Sequence, residues 1–251
     1  MTRPAHGQAS YRIRMEWALD GAMAVVADAR PGDVAVVVDV LSFTTTVAVA
    51  LEQGVRLYPY PWHRDDAQAY ADERQAVLAV GRRAALETGG VSLSPVSFLE
   101  HPVDRVVLPS PNGSAISFAL AEAGLTVVAA SVRNATAVAG WLRERADATV
   151  SVVAAGEQWP DGRLRPAVED LWGAGAVLAA LGPDGASPEA RMAAAAFTAV
   201  ADAVADELAD CAGGRELIED GFAGDVALAA AYDVGQVVPL LDGDAFVDAW
   251  S

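Results

Sequence analysis

The apolar stretch within residues 33–40, DVAVVVDV, constrains the fold of this chain more than any other feature. A strand with one wet face alternates apolar and polar residues, so a run of valines without a polar break must be covered on both faces. Strands of that kind belong to parallel sheets held between layers of helix, and the rest of the chain keeps the rhythm. Residues 44–53 read as the next helix, ended by Gly54, followed by a strand at 55–60, an exposed helix at 65–74 and a strand at 76–80. Residues 105–108 and 114–123 form another strand and helix, and 126–130, 134–143, 149–154 and 169–181 repeat the unit. Pro188, a good first-turn residue, opens what reads as the longest helix, to about residue 208. Short helices at 215–220 and 225–231 and a late strand at 237–241 complete the expectation. The expected fold is α/β, a three-layer α/β/α-type sheet with helices on both faces. It leaves open a single domain over 11–251 or two similar lobes, 11–130 and 131–251, behind a disordered tail at 1–10.

Composition narrows the function classes. With 53% hydrophobic and 20% charged residues over 251 positions, the chain can bury a substantial core. No apolar run reaches the ~20 residues of a membrane-spanning helix, and residues 1–10 are too polar for a secretory leader. The single cysteine, Cys211, excludes an internal disulfide framework and fits a reducing compartment, so a cytoplasmic location is expected. A net charge of −17 repels nucleic acid and anionic membrane, and neither is an expected partner. Nothing marks an oligomer interface, which leaves a homodimer open.

Three strand ends run into polar clusters that open helices: Asp39 to Thr46, Pro109 to Ser114, and Ser131 to Asn134. In parallel α/β sheets ligands collect at the carboxyl ends of strands, where helix N-termini present free backbone N–H groups. Each hydroxyl or amide there either caps its helix or donates to a ligand such as phosphate. Asp39 is the sharpest residue, because a carboxylate ending a valine strand is costly to bury unless a cation or hydrogen-bond donors meet it. Glu169 and Asp170 open a later helix. Paired in space with Asp39, one of them would supply oxygen to Mg²⁺, which takes one or two carboxylates and completes its shell with water and phosphate. Other schemes fail by absence. There is no G-x-x-x-x-G-K-[ST] loop, no strand-linked G-x-G-x-x-G and no G-x-S-x-G elbow. Leu41 stands where a D-x-D phosphatase has its second Asp, Cys211 and Arg215 have the wrong spacing for C-x5-R, and His6, His63 and His101 form no ligand pattern.

Five ordered blocks carry a resemblance: VVVDVLSFTTTVAVALEQG (36–54), PNGSA (111–115), ASVRNATAVA (130–139), VVAAGE with VEDLWGAGAVL (152–178), and GGRELIEDGFAGDVALAA (213–230). In this order they resemble the 2-phosphosulfolactate phosphatase family. The resemblance implies Mg²⁺-dependent hydrolysis of 2-phospho-3-sulfolactate to 3-sulfolactate and phosphate, a step of coenzyme M biosynthesis in archaea. Carried over motif by motif, it points to Asp39, Thr45, Asn112 and Glu169 as catalytic. It points to Thr44, Thr46, Gly113, Ser131, Arg133 and Asn134 as substrate-binding, and to Asp39, Glu169 and Asp170 as metal ligands, with a small phosphorylated organic acid as partner. Arg82, Arg133 and Arg165 are candidates for the acid end of the substrate. Two departures stand out. Ser42 occupies a position where the family carries arginine, and Arg82 follows Gly81 where glutamate is usual. They leave an alternative reading, a non-catalytic or substrate-shifted member that binds a small anionic metabolite.

Overall fold

The computed structural model describes residues 8–61 and 66–251. Its strands are β1 (Ile13–Trp17), β2 (Val34–Val38), β3 (Arg56–Pro61), β4 (Val77–Leu78), β5 (Arg105–Ser110), β6 (Thr126–Ala130), β7 (Val150–Ala154), β8 (Glu157–Gln158), β9 (Leu164–Arg165), β10 (Pro239–Asp242) and β11 (Ala245–Asp248). The α-helices are α1 (Ala18–Val25), α2 (Phe43–Glu52), α3 (Ala67–Glu73), α4 (Arg82–Thr88), α5 (Val96–Glu100), α6 (Gly113–Glu122), α7 (Ala135–Arg143), α8 (Val168–Leu181), α9 (Pro188–Thr198), α10 (Val204–Asp210), α11 (Ala212–Glu219) and α12 (Ala223–Ala230).

The valine run explains the architecture. Every residue of β2 is buried, and successive side chains enter different cores, as the two-residue period of a strand requires. Val34, Val36 and Val38 join Val128, Val152 and Trp141 in one cluster, whereas Ala35 and Val37 join Val47, Val127 and Leu120 in another. Helices α7, α8 and α9 supply the first layer, and α2 and α6 supply the second. The three-layer α/β/α expectation is met.

One sheet of nine strands has the order β1-β7-β2-β6-β10-β11-β3-β5-β4. Strands β1, β7, β2 and β6 pair in parallel, as do β3, β5 and β4. The hairpin β10–β11 joins these blocks through antiparallel contacts on both sides, at Leu240 with Val128 and at Phe246 with Leu57. The two parallel blocks therefore run in opposite senses. Strands from before and after residue 130 are interleaved in this one sheet. Most of the expected strands and helices are found within two or three residues.

The long helix expected at 188–208 is two helices. α9 packs on α8, α10 packs on α11 and α12, and the 3-10 turn Ala201–Ala203 redirects the chain between these partners. No Gly or Pro signals the break. β1, α1, α4, α5, β8, β9 and β11 form from segments to which the periodicity assigns no element. Residues 1–7 of the expected tail lie outside the described residues. Gln8 within it is buried, donating to the Met15 carbonyl and accepting from the Met15 N–H. Gly175 lets α8 approach α9. A Cβ there would strike the Ala193 carbonyl and lie 2.7 Å from Phe197 Cβ. Gly175→Ala is expected to cost about 1–3 kcal/mol, read as a lower midpoint in urea at an unchanged slope.

Candidate functional site

The carboxyl ends of β2, β5 and β7 meet the first turns of α2, α6 and α8. Asp39, just past β2, accepts from the Phe43 N–H at Oδ1 (3.2 Å) and from the Gly113 N–H at Oδ2 (2.8 Å). The second bond ties the two oppositely directed halves of the sheet. A side chain at position 113 would collide with Phe43 and lie 2.7 Å from Asp39 Oδ2, so only glycine lets α6 begin so close to this carboxylate. Asp170 spans the next junction. Its Oδ1 accepts from Val40 N–H (2.7 Å) and its Oδ2 from Gly156 N–H (2.8 Å), linking the ends of β2 and β7.

Glu169 is buried beside Asp170 in the first turn of α8. Its Oε1 lies where a Cβ on Gly213 would stand, so α11 reaches this carboxylate only through a glycine. The Cys211 thiol next to it is pushed up to about 12 by burial first and by the Glu169 charge second. Asn112 donates from Nδ2 to Glu157 Oε1 (3.2 Å). Glu157, on β8, adds a fourth carboxylate that acts electrostatically on Asp39.

The sequence offers Glu157 only as the last residue of the VVAAGE block. The signal was present, because the apolar strand 150–154 also runs into a polar segment, Gly156-Glu157.

The structure thus brings together Asp39, Asn112, Gly113, Glu169 and Asp170. The three threonines are adjacent but fully buried, and each hydroxyl donates to a backbone carbonyl: Thr44 to Asp39, Thr45 to Val40 and Thr46 to Leu93. They fix the loop that carries Asp39. Ser131, Arg133 and Asn134 lie at the end of β6 and form a network of their own. Ser131 and Asn134 make a capping box, and Asn134 reaches the Val237 carbonyl. Arg133 pairs with Glu52 (3.0 Å) and donates to the Leu228 carbonyl. Arg165 lies over the Trp159 ring on the short hairpin β8–β9.

Arg82 is different. It donates from Nη2 to Ser42 Oγ (2.6 Å), so the two positions at which this chain departs from the resembled pattern are in contact.

Burial dominates the titration of this cluster. It pushes the Asp39 carboxyl up to about 6, opposed by the Gly113 and Phe43 N–H groups and the Arg82 charge and reinforced by Glu157. Asp170 is raised well above the ordinary carboxylate range by burial and by the charges of Asp39 and Glu169. For Asp39 the folded value exceeds the unfolded one, so the folded state binds the extra proton and its stabilisation is lost as pH rises through about 6. In EDTA, wild type is expected to lose stability relative to Asp39→Asn as pH climbs from about 4 to 7. Paired thermal melts check this, and a constant difference would contradict it.

Carboxylates crowded in this way are a donor set for a hard cation. Among the described residues no three His, Cys, Asp or Glu side chains converge in ligating geometry.

A family model for 2-phosphosulpholactate phosphatase matches residues 23–244, the span that contains all of this geometry. The chain belongs to the 2-phosphosulpholactate phosphatase family. Membership places it among phosphatases, hydrolases acting on phosphoric monoesters. A probable 2-phosphosulfolactate phosphatase from Deinococcus radiodurans is 32% identical over 225 residues, covering 86% of this chain and 91% of the relative. Another from Thermus thermophilus is 33% identical over 218 residues, covering 84% and 89%. A third, from Thermotoga petrophila, is 28% identical over 218 residues, covering 85% and 91%. The 2-phosphosulpholactate phosphatase match includes β10 and ends just before β11, and Asp39, Asn112, Glu157, Glu169 and Asp170 all fall inside it. No helix among the described residues is long and apolar enough to cross a membrane.

Proposed function

We propose that this site hydrolyses the phosphate ester of a small hydroxy acid, with 2-phospho-3-sulfolactate as the leading substrate and Mg²⁺ as cofactor. The observation that carries the reading is the carboxylate cluster at the meeting of β2, β5 and β7, inside the matched family span, with the Asp39 and Asp170 carboxyls pushed up chiefly by burial. Asp39 and Glu169 are the residues that would hold Mg²⁺, with Asp170 bracing the loop behind Asp39. When bound, the ion supplies charge neutralisation at the phosphoryl oxygens and a polarised water. Asn112 is held beside Glu157 at the start of α6, where its amide orients a phosphoryl oxygen. Glu157 accepts the Asn112 amide and stands ready to hold a proton from the attacking water.

Stripping the protein with EDTA and adding Mg²⁺ back tests the metal half of this reading. Mg²⁺ is expected to raise the melting temperature and to restore phosphate release from 2-phospho-3-sulfolactate. Equal turnover in EDTA and in Mg²⁺ would remove the metal from the proposal.

A further inference from the structure

A cavity of about 220 Å³ is lined in part by Arg82, Ser92, Ser94, Ser97, Phe222 and Asp225. Arg82 links this cavity to the loop that carries Asp39, whose carboxylate feels its charge. Its Nη2 donates to Ser42 Oγ (2.6 Å) and to the Leu93 carbonyl (3.3 Å), the same carbonyl that receives the Thr46 hydroxyl. Ser42 directly precedes Phe43, whose N–H binds Asp39. On the other side Arg82 Nε donates to Asp225 Oδ2 (3.3 Å), and Ser94 Oγ holds Asp225 Oδ1 (2.5 Å). Asp225 is almost fully buried, so this pairing fixes the plane of the guanidinium. Two of the three nitrogens are thus committed. Nη1 has no hydrogen bond among the described residues, and the side chain keeps 19% of its surface exposed.

A guanidinium held on two edges and open on the third is pre-organised for one more acceptor, and an anion is its strongest partner. The other arginines singled out from the sequence are less available. Arg133 is nearly buried and paired with Glu52, and Arg165 lies over the Trp159 ring.

We infer that Arg82 anchors the acid group of the substrate, a carboxylate or sulfonate, with the neighbouring cavity receiving the part of the molecule that departs as alcohol. Asp225 and Ser94 act as positioning residues. The inference rests on the proposed hydrolysis of a phosphorylated hydroxy acid and adds the residue that selects the acid. It gives Arg82 a task distinct from phosphate chemistry, because the cation would hold the end of the substrate remote from phosphorus.

The test compares two esters. One is 2-phospho-3-sulfolactate, and the other is p-nitrophenyl phosphate, which has no acid group. Arg82→Gln is expected to lower the ratio of kcat/KM for the acid ester to that for p-nitrophenyl phosphate at least about tenfold, mainly through KM. Arg82→Lys, which keeps the charge but not the fork, is expected to lie between. A ratio that stays constant in both variants overturns the inference, whatever happens to the absolute rates. Calorimetric binding of 2-phospho-3-sulfolactate in EDTA, where hydrolysis is not required, separates this outcome from failure of the hydrolase reading. About tenfold weaker binding to Arg82→Gln than to wild type supports the anchor even if no phosphate is released. Equal binding, or none to wild type, overturns it.

Discussion

Asp39→Asn is expected to reduce phosphate release at least about a thousandfold, which corresponds to about 4 kcal/mol of barrier. The change removes a negative charge and little else in shape. It replaces one acceptor oxygen with an amide that faces a backbone N–H, from either Gly113 or Phe43. The flanking loop is still held by the threonine hydroxyls, which donate to Asp39, Val40 and Leu93 carbonyls rather than to the carboxylate. The fold is therefore expected to persist, as judged by a cooperative melt, while activity falls. Catalysis at Asp39→Asn within tenfold of wild type would show that the charge at the end of β2 is not used.

Asp170→Ala is expected to act on stability. Both carboxylate oxygens receive a buried backbone N–H, from Val40 and Gly156, and alanine leaves both donors without a partner. Each orphaned group costs about 1–3 kcal/mol, so a loss of about 2–6 kcal/mol is expected, read from urea unfolding. A second effect opposes this. Asp170 is buried among the charges of Asp39 and Glu169, and removing it relieves their repulsion. Asp170→Asn separates the two effects, since it removes the charge and keeps one acceptor. Its loss is expected to be smaller than that of alanine. If both variants were more stable than wild type, repulsion would outweigh the two hydrogen bonds.

The sheet and its helical layers were legible because burial leaves a direct mark on composition. The valine run of β2 and the apolar strands at 126–130 and 149–154 could lie only in the middle of a covered sheet. The edges were less legible. β1 reads as mixed polar and apolar, IRMEW, because one neighbour and the α1 turn cover it unevenly. β11 is four residues long, and its position between the two parallel blocks depends on contacts with β10 and β3 far away in sequence. The division at residues 199–203 arises from two packing partners in different directions, a tertiary cause that no local residue announces.

The candidate site was legible at its carboxylates and less so at its hydroxyls. Asp39 stood out because a charge at the end of a buried strand needs a reason. Asp170 stood out less, since acids are ordinary in a first helical turn, yet it proves to be the strut between β2 and β7. Thr44 to Thr46 looked like ligand donors, but a hydroxyl at a helix start serves equally well inward, and here all three point to backbone. Arg133 looked available until Glu52, 81 residues away, was found against it. The contact of Ser42 with Arg82 was the opposite case, two departures in sequence that become one feature in space.

Following 2-phospho-3-sulfolactate by phosphorus NMR, with a catalytic amount of the protein and Mg²⁺, tests the central claim most directly. The ester resonance is expected to give way to inorganic phosphate in step with equimolar 3-sulfolactate. An ester signal unchanged over many hours, with the protein folded and Mg²⁺ present, would contradict it.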